Sequence, residues 1–232
     1  MKRLFYLILI LSSLPLHAFG TYGEGKAIVA LREFGRKGIF IDSYEGSFDI
    51  ASYNPNEKCE DPQDCYTPDK ESLRFSIREE NKDLIQFMLK NMDRVMVIEY
   101  RIHRIKPIAL STSFEVLKAS GIKATQAADF PWKYVSKNRT GSTDYSVYGK
   151  VLRLEYRGVA VGTYEGLLYD RRKDKVTPFS VTDEAMARHI YLCIDSGQEY
   201  NIGITRALVT GWRDSKLDVF EINYRERAGG VE

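Results

Sequence analysis

The chain has almost nothing with which to hold a soft metal or to build a histidine-centred reaction site. It contains three histidines, three cysteines and two tryptophans. Beyond residue 20 the only histidines are His103 and His189. No phosphate loop, nucleophile elbow, zinc spacing or calcium loop occurs. The sequence therefore offers no metal set and no cofactor motif. Beyond the N-terminus there is also no apolar run near the roughly 20 residues that a membrane-spanning helix needs.

The one long apolar run is at the start. Lys2 and Arg3 precede Leu4 to Leu14, and the small residues Ala18 and Gly20 follow. That is the layout of a secretory signal over residues 1–20. Its removal takes two of the 34 basic residues and none of the 32 acidic ones, leaving 32 against 32. A balanced chain carries no strong signal for nucleic acid, whose ligands are usually clearly basic. The expected product is exported, periplasmic or secreted, with no transmembrane segment. In such a compartment Cys59 and Cys65, with five residues between them in a Pro-rich acidic stretch, are expected to form a disulfide. Cys193 is expected to be a buried free thiol.

What the sequence does contain is a repeat. Gly38-Ile39-Phe40-Ile41-Asp42-Ser43-Tyr44-Glu45-Gly46 returns as Gly158-Val159-Ala160-Val161-Gly162-Thr163-Tyr164-Glu165-Gly166. Phe75-Ser76-Ile77 returns as Phe179-Ser180-Val181. Gly25-Lys26 with Gly149-Lys150, and Phe114-Glu115 with Phe220-Glu221, extend the match on either side. A fixed order of short matches reads as a tandem duplication.

Each half parses as strand, strand, strand, helix, strand, strand. Alternation marks the strands. In the second half Thr182 is the expected N-cap of a helix with Met186, Ile190, Cys193 and Ile194 on its apolar stripe, closed by Gly197. In the first half the stripe is Leu84, Ile85, Met88, Leu89 and Met92. The expected fold is mainly β with one helix per unit. It forms two tandem OB-like five-stranded barrels, with another small β-barrel or a sandwich as the alternative. The expected divisions are unit 1 over 21–118 with a disulfide-bearing insertion at 52–70, a linker at 119–147, and unit 2 over 148–232.

At the Gly-x4-[Ser/Thr]-Tyr-Glu-Gly and Phe-Ser-[Ile/Val] motifs, both units resemble small exported or envelope proteins of bacteria. The resemblance covers the core of each unit, leaves out the insertion and linker, and implies a domain type without an activity.

The residues that could carry a function are few. Glu45 and Glu165 share a strand face with hydroxyl residues, so either could be a tuned acid, or simply a carboxylate accepting hydrogen bonds at a bend. Tyr44 and Tyr164 could stack a ligand or pack in the core. Arg101, His103 and Arg104 lie in an alternating basic segment. The leading expectation is a non-catalytic exported protein that binds a protein, peptide or glycan in or outside the cell envelope. A secreted nuclease-like hydrolase using Glu45, Asp49 and Arg74 is one alternative, and a structural envelope component is the other.

Overall fold

In a computed structural model of the protein, residues 20–37, 43–53, 66–123, 133–137, 141–158, 162–207 and 213–224 are described. The pair Cys59 and Cys65, and with it the expected disulfide, lies outside them.

The first unit grows from a long strand, β1 (Thr21–Lys37), whose alternation turns Ala27, Val29 and Leu31 inward. It continues as β2 (Ser43–Tyr53), β3 (Tyr66–Arg78), helix α1 (Lys82–Lys90), β4 (Val95–His103) and β5 (Phe114–Ser120). β1, β2 and β3 form an antiparallel meander. β5 joins β3 in parallel at Ser76 and Glu115, and β4 bridges β5 back to β1. The five strands thus close into a ring around Phe48, Phe75, Ile77, Met96, Ile98 and Val116. Of the expected helix stripe, Leu84, Ile85 and Met88 are buried and Met92 packs half-buried against the same cluster, whereas Leu89, a step further round the helix than Met88, is exposed.

The second unit repeats the order: β7 (Gly141–Arg157), β8 (Thr163–Asp170), β9 (Lys175–Val181), α2 (Glu184–Ser196), β10 (Glu199–Ala207) and β11 (Leu217–Asn223). β9 and β11 run parallel at Ser180 and Asp218, and the ring closes in the same sense. The N-cap of α2 is Asp183 rather than Thr182: its carboxylate accepts from the Ala185 amide at 2.9 Å. Gly197 ends the helix in the left-handed conformation, with φ 58°.

Two sequence expectations need correction. The stretch 119–147 is less of a linker than expected. It contains β6 (Lys133–Val135), which pairs with β11, and β7 already begins at Gly141. Ser136 ties it further, donating to Asp183 at 2.5 Å. The outer repeat matches also shift. Register sets Phe34 against Gly46 and Leu154 against Gly166, so Leu154 corresponds to Phe34 and Lys150 to Ala30, not to Lys26. Likewise Glu115 pairs with Ser76 and Asp218 with Ser180, so Asp218, not Glu221, is the counterpart of Glu115. The inner matches stand in register: Phe75 lies opposite Gly46 and Phe179 opposite Gly166, each ring filling the space where a Cβ would sit.

The two rings join edge to edge. Residues 23–27 of β1 pair antiparallel with residues 153–157 of β7. Gly25 makes this crossing, because a Cβ there would lie 2.3 Å from the Leu154 carbonyl oxygen. Ile28, Val95 and Val97 face out of the first ring and enter the second unit's hydrophobic cluster with Ile190, Cys193 and Ile194 of α2. Lys26 seals the rim, donating to Asp195 at 2.8 Å.

Candidate functional site: the outer face of the first ring

Glu45 and Glu165 both stand on the outer face of their meander, opposite the inward Tyr-Gly alternation. Glu165 is buried and its two oxygens accept from Thr163 and Ser180, each at 2.6 Å. Ser180 in turn accepts from the Ser215 amide at 3.1 Å, tying down the β10–β11 connection. That is a structural carboxylate, satisfied on both sides. Glu45 is half-buried and accepts from Ser43 at 3.0 Å. Its neighbour Ser76 turns instead to Thr112, accepting from the Thr112 amide at 3.0 Å.

Tyr44 packs at the rim against Phe34, with ring centres 5.7 Å apart, and Tyr164 lies 5.0 Å from Tyr156. His103 bonds through Nε2 to Glu115 at 2.5 Å, and Arg78 donates to the other Glu115 oxygen at 2.6 Å. Burial pushes the Glu115 pKa up, but the Arg78 and His103 donors outweigh it and hold the carboxyl below its usual range. Arg101 approaches Glu24 at 3.6 Å, and Arg104 follows the end of β4 in the loop. The seven residues singled out in the sequence therefore do not converge. Of the hydrolase set, Glu45 and Arg74 line one cavity, whereas Asp49 is engaged by Arg32 at 2.7 Å.

That cavity, about 200 Å³, opens on the outer face of the β1–β2–β3 meander. Register lays the face out in rows: Glu33, Ser47, Arg74; then Gly35, Glu45, Ser76; then Lys37, Ser43, Arg78. Ser111, from the β4–β5 connection, closes one side. The side chains of Glu33, Lys37 and Arg74 form no hydrogen bond or ion pair with other described residues. Sequence reading missed Glu33 and Lys37. Their signal was available in the i, i+2, i+4 spacing around Gly35, which sets them on the same side of β1.

The corresponding face of the second unit is filled. Its rows begin with Arg153, Glu155 and Arg157, the counterparts of Glu33, Gly35 and Lys37. β1 lies along them, and Tyr100 of the first unit donates to the buried Glu155 at 2.6 Å. Arg157 completes the pair with Glu155 at 2.5 Å and reaches Asp214 at 3.0 Å. Burial, and then the Glu155 charge, push the Tyr100 hydroxyl well above its ordinary pKa, so it stays a donor. One edge thus has two fates: paired with a strand in unit 2, and without a described strand beside it in unit 1.

Among the described residues no group of three or more His, Cys, Asp or Glu side chains is placed to hold a metal ion. Among them, no helix is long and apolar enough to cross a membrane.

These features define a mainly β protein of two duplicated, ring-closed units joined through their first strands. The chain belongs to the family described as a domain of unknown function (DUF8785), which matches residues 20–126 and 141–229, one stretch over each unit. Comparison with curated proteins gave no match.

Proposed function

We propose that this is an exported, non-catalytic binding protein, built as two OB-like barrels, that engages a protein, peptide or glycan through the outer face of its first unit. The observation that carries this is the contrast of the two units: the edge paired with a strand in unit 2 has no described strand beside it in unit 1, and next to it Glu33, Lys37 and Arg74, whose side chains have no partner among the described residues, line a cavity. The β-β-β-α-β-β order and ring closure support the OB-like reading. Scaffolds of this kind bind through surface loops and strand faces. A second exposed feature, Ile105 and Ile108 on the β4–β5 loop, adds apolar area beside the basic Arg104 and Lys106. Export rests on the N-terminal segment, and the Cys59–Cys65 bridge rests on spacing and compartment. N-terminal sequencing of secreted protein beginning beyond residue 20 is the expected result. An intact chain retained in the cytoplasm would sink that part.

The test is thermal unfolding against matrix proteins, peptides and glycans, since a ligand of the folded state raises the midpoint by mass action. A shift with one of them that disappears in Glu33→Ala/Arg74→Ala is expected. A shift that survives in that variant, or none across the set, overturns the reading.

A further inference from the structure

We propose that residues 33–37 of β1 accept an extended peptide as an added antiparallel strand, on the edge equivalent to the one that β1 occupies on β7. This rests on the open-face reading above and names its partner class. The internal junction is the template. There Gly23 lies opposite Arg157, Gly25 opposite Glu155 and Ala27 opposite Arg153. The counterparts in the first unit are Lys37, Gly35 and Glu33. Residues 33–37 pair with β2 on one side, and no described strand lies on the other. Main-chain hydrogen bonds along such an edge give affinity, and alternate side chains give selectivity.

The flanking charges fix what the strand should carry. A residue opposite Lys37 should be acidic. The residue four further on, opposite Glu33, should be basic, because opposite charges across a ladder attract and like charges repel. Between them, the residue opposite Gly35 should be glycine: in the template a Cβ on Gly25 would lie 2.3 Å from the Leu154 carbonyl oxygen, and Phe34 holds that position here. Glu45, Ser47 and Arg74 then line the cavity on the far side of β1. The occupant is accordingly an extended segment reading acid-x-Gly-x-base.

A second copy of this chain is a poorer fit. The strand it would contribute, the counterpart of residues 23–27, is residues 143–147. The outward Ile28, Ala30 and Val97, which seat the neighbouring helix in the existing junction, become Tyr148, Lys150 and Asn201 there. A head-to-tail copy would therefore lack the apolar seat.

The experiment uses fluorescence anisotropy with the labelled peptide Thr-Glu-Val-Gly-Val-Lys-Thr, its charge-swapped form with Lys and Glu exchanged, and a backbone N-methylated version. The purified protein should prefer the first over the swapped peptide by about fivefold or more, and should lose binding to the N-methylated one. Glu33→Lys/Lys37→Glu, with unfolding midpoint checked against wild type, should invert the preference. Equal binding of both orders, an uninverted preference, or no binding overturns the inference. If no peptide binds, yet a partner's thermal shift is lost in Glu33→Ala/Arg74→Ala, the strand inference fails and the open-face reading stands. Concentration-dependent oligomers that the peptide does not disperse would assign the edge to a second copy instead.

Discussion

Gly25 and Gly35 lie on one strand, ten residues apart, and should respond to the same substitution with opposite signs. An alanine Cβ at Gly25 would stand 2.3 Å from the Leu154 carbonyl oxygen and 2.7 Å from the Glu155 Cα. Both are backbone atoms fixed by the β1–β7 ladder, so relief requires the strands to part by about 1 Å, since carbon contacts settle near 3.5 Å. Parting them also draws Tyr100 from Glu155. Overpacking usually costs about 1–3 kcal/mol, and a clash against backbone belongs at about 3 kcal/mol or more. At Gly35 a Cβ meets nothing within 4 Å. Neither glycine has the positive φ that would strain an alanine. Gly35→Ala should therefore gain about 0.4–1 kcal/mol by narrowing the unfolded ensemble. In a domain of this size about 1 kcal/mol moves the midpoint by about 2–4 °C. Thermal and urea unfolding should place Gly25→Ala about 6–12 °C below wild type and Gly35→Ala slightly above it. Equal losses in the two variants, or a loss under about 0.5 kcal/mol for Gly25→Ala, would refute the account of the junction.

Tyr100→Phe should cost about 1–3 kcal/mol in urea unfolding, because it strips one donor from the buried Glu155; no measurable change would mean that Arg157 alone satisfies that carboxylate. Cys193 is fully buried, and burial raises its thiol pKa. It should react with a thiol reagent only as fast as the protein unfolds, and rapid labelling of the native state would sink the packing described for α2. Lys150 is 4 % exposed, and burial pushes its pKa down to about 8, with Glu199 opposing. Between about pH 8 and its unfolded value of 10.5 the unfolded chain holds a proton that the folded one has released. Stability should therefore rise with pH across that window, by roughly 3 kcal/mol in all. Comparing wild type with Lys150→Met isolates the effect, and an unchanged difference between pH 7 and 10.5 would refute it.

How much of this was legible follows from the range of each interaction. Strand identity came from alternation, and the helix stop at Gly197 from local chemistry, so both were readable. The inner repeat was readable because Gly46 and Phe75, like Gly166 and Phe179, make the same contact in each unit. The outer dipeptides misled. Bulges at Leu31/Glu33 and Val151/Arg153 place the true counterparts by register, and Gly-Lys or Phe-Glu recur without sharing a position. The unit junction is a contact between residues some 130 positions apart, which local pattern does not encode. It did leave a trace: Ala27 to Leu31 and Val95 to Ile98 are continuously apolar, where a barrel strand with a wet outer face would alternate. Such a run means that both faces are covered.

The junction joins unlike edges of like units, so in principle it could propagate, as heterologous contacts do. Two changes stop it within the chain. Gly25, which lets β7 approach, corresponds to Tyr145 in the second unit, whose bulky ring lies beneath Lys173. The apolar seat of Ile28 and Val97 is replaced by Tyr148 and Asn201. The array thus ends at two units on the side of unit 2. On the side of unit 1 the edge at 33–37 keeps its ladder position, while the buried Glu155 of the template is replaced by a glycine with free space and flanking charges of opposite sign. Charge and bulges are also ways of blunting an unused edge, and this one carries Glu33, Lys37 and the Leu31/Glu33 bulge; inversion of the peptide preference in Glu33→Lys/Lys37→Glu is the result that separates an edge in use from one that is blunted.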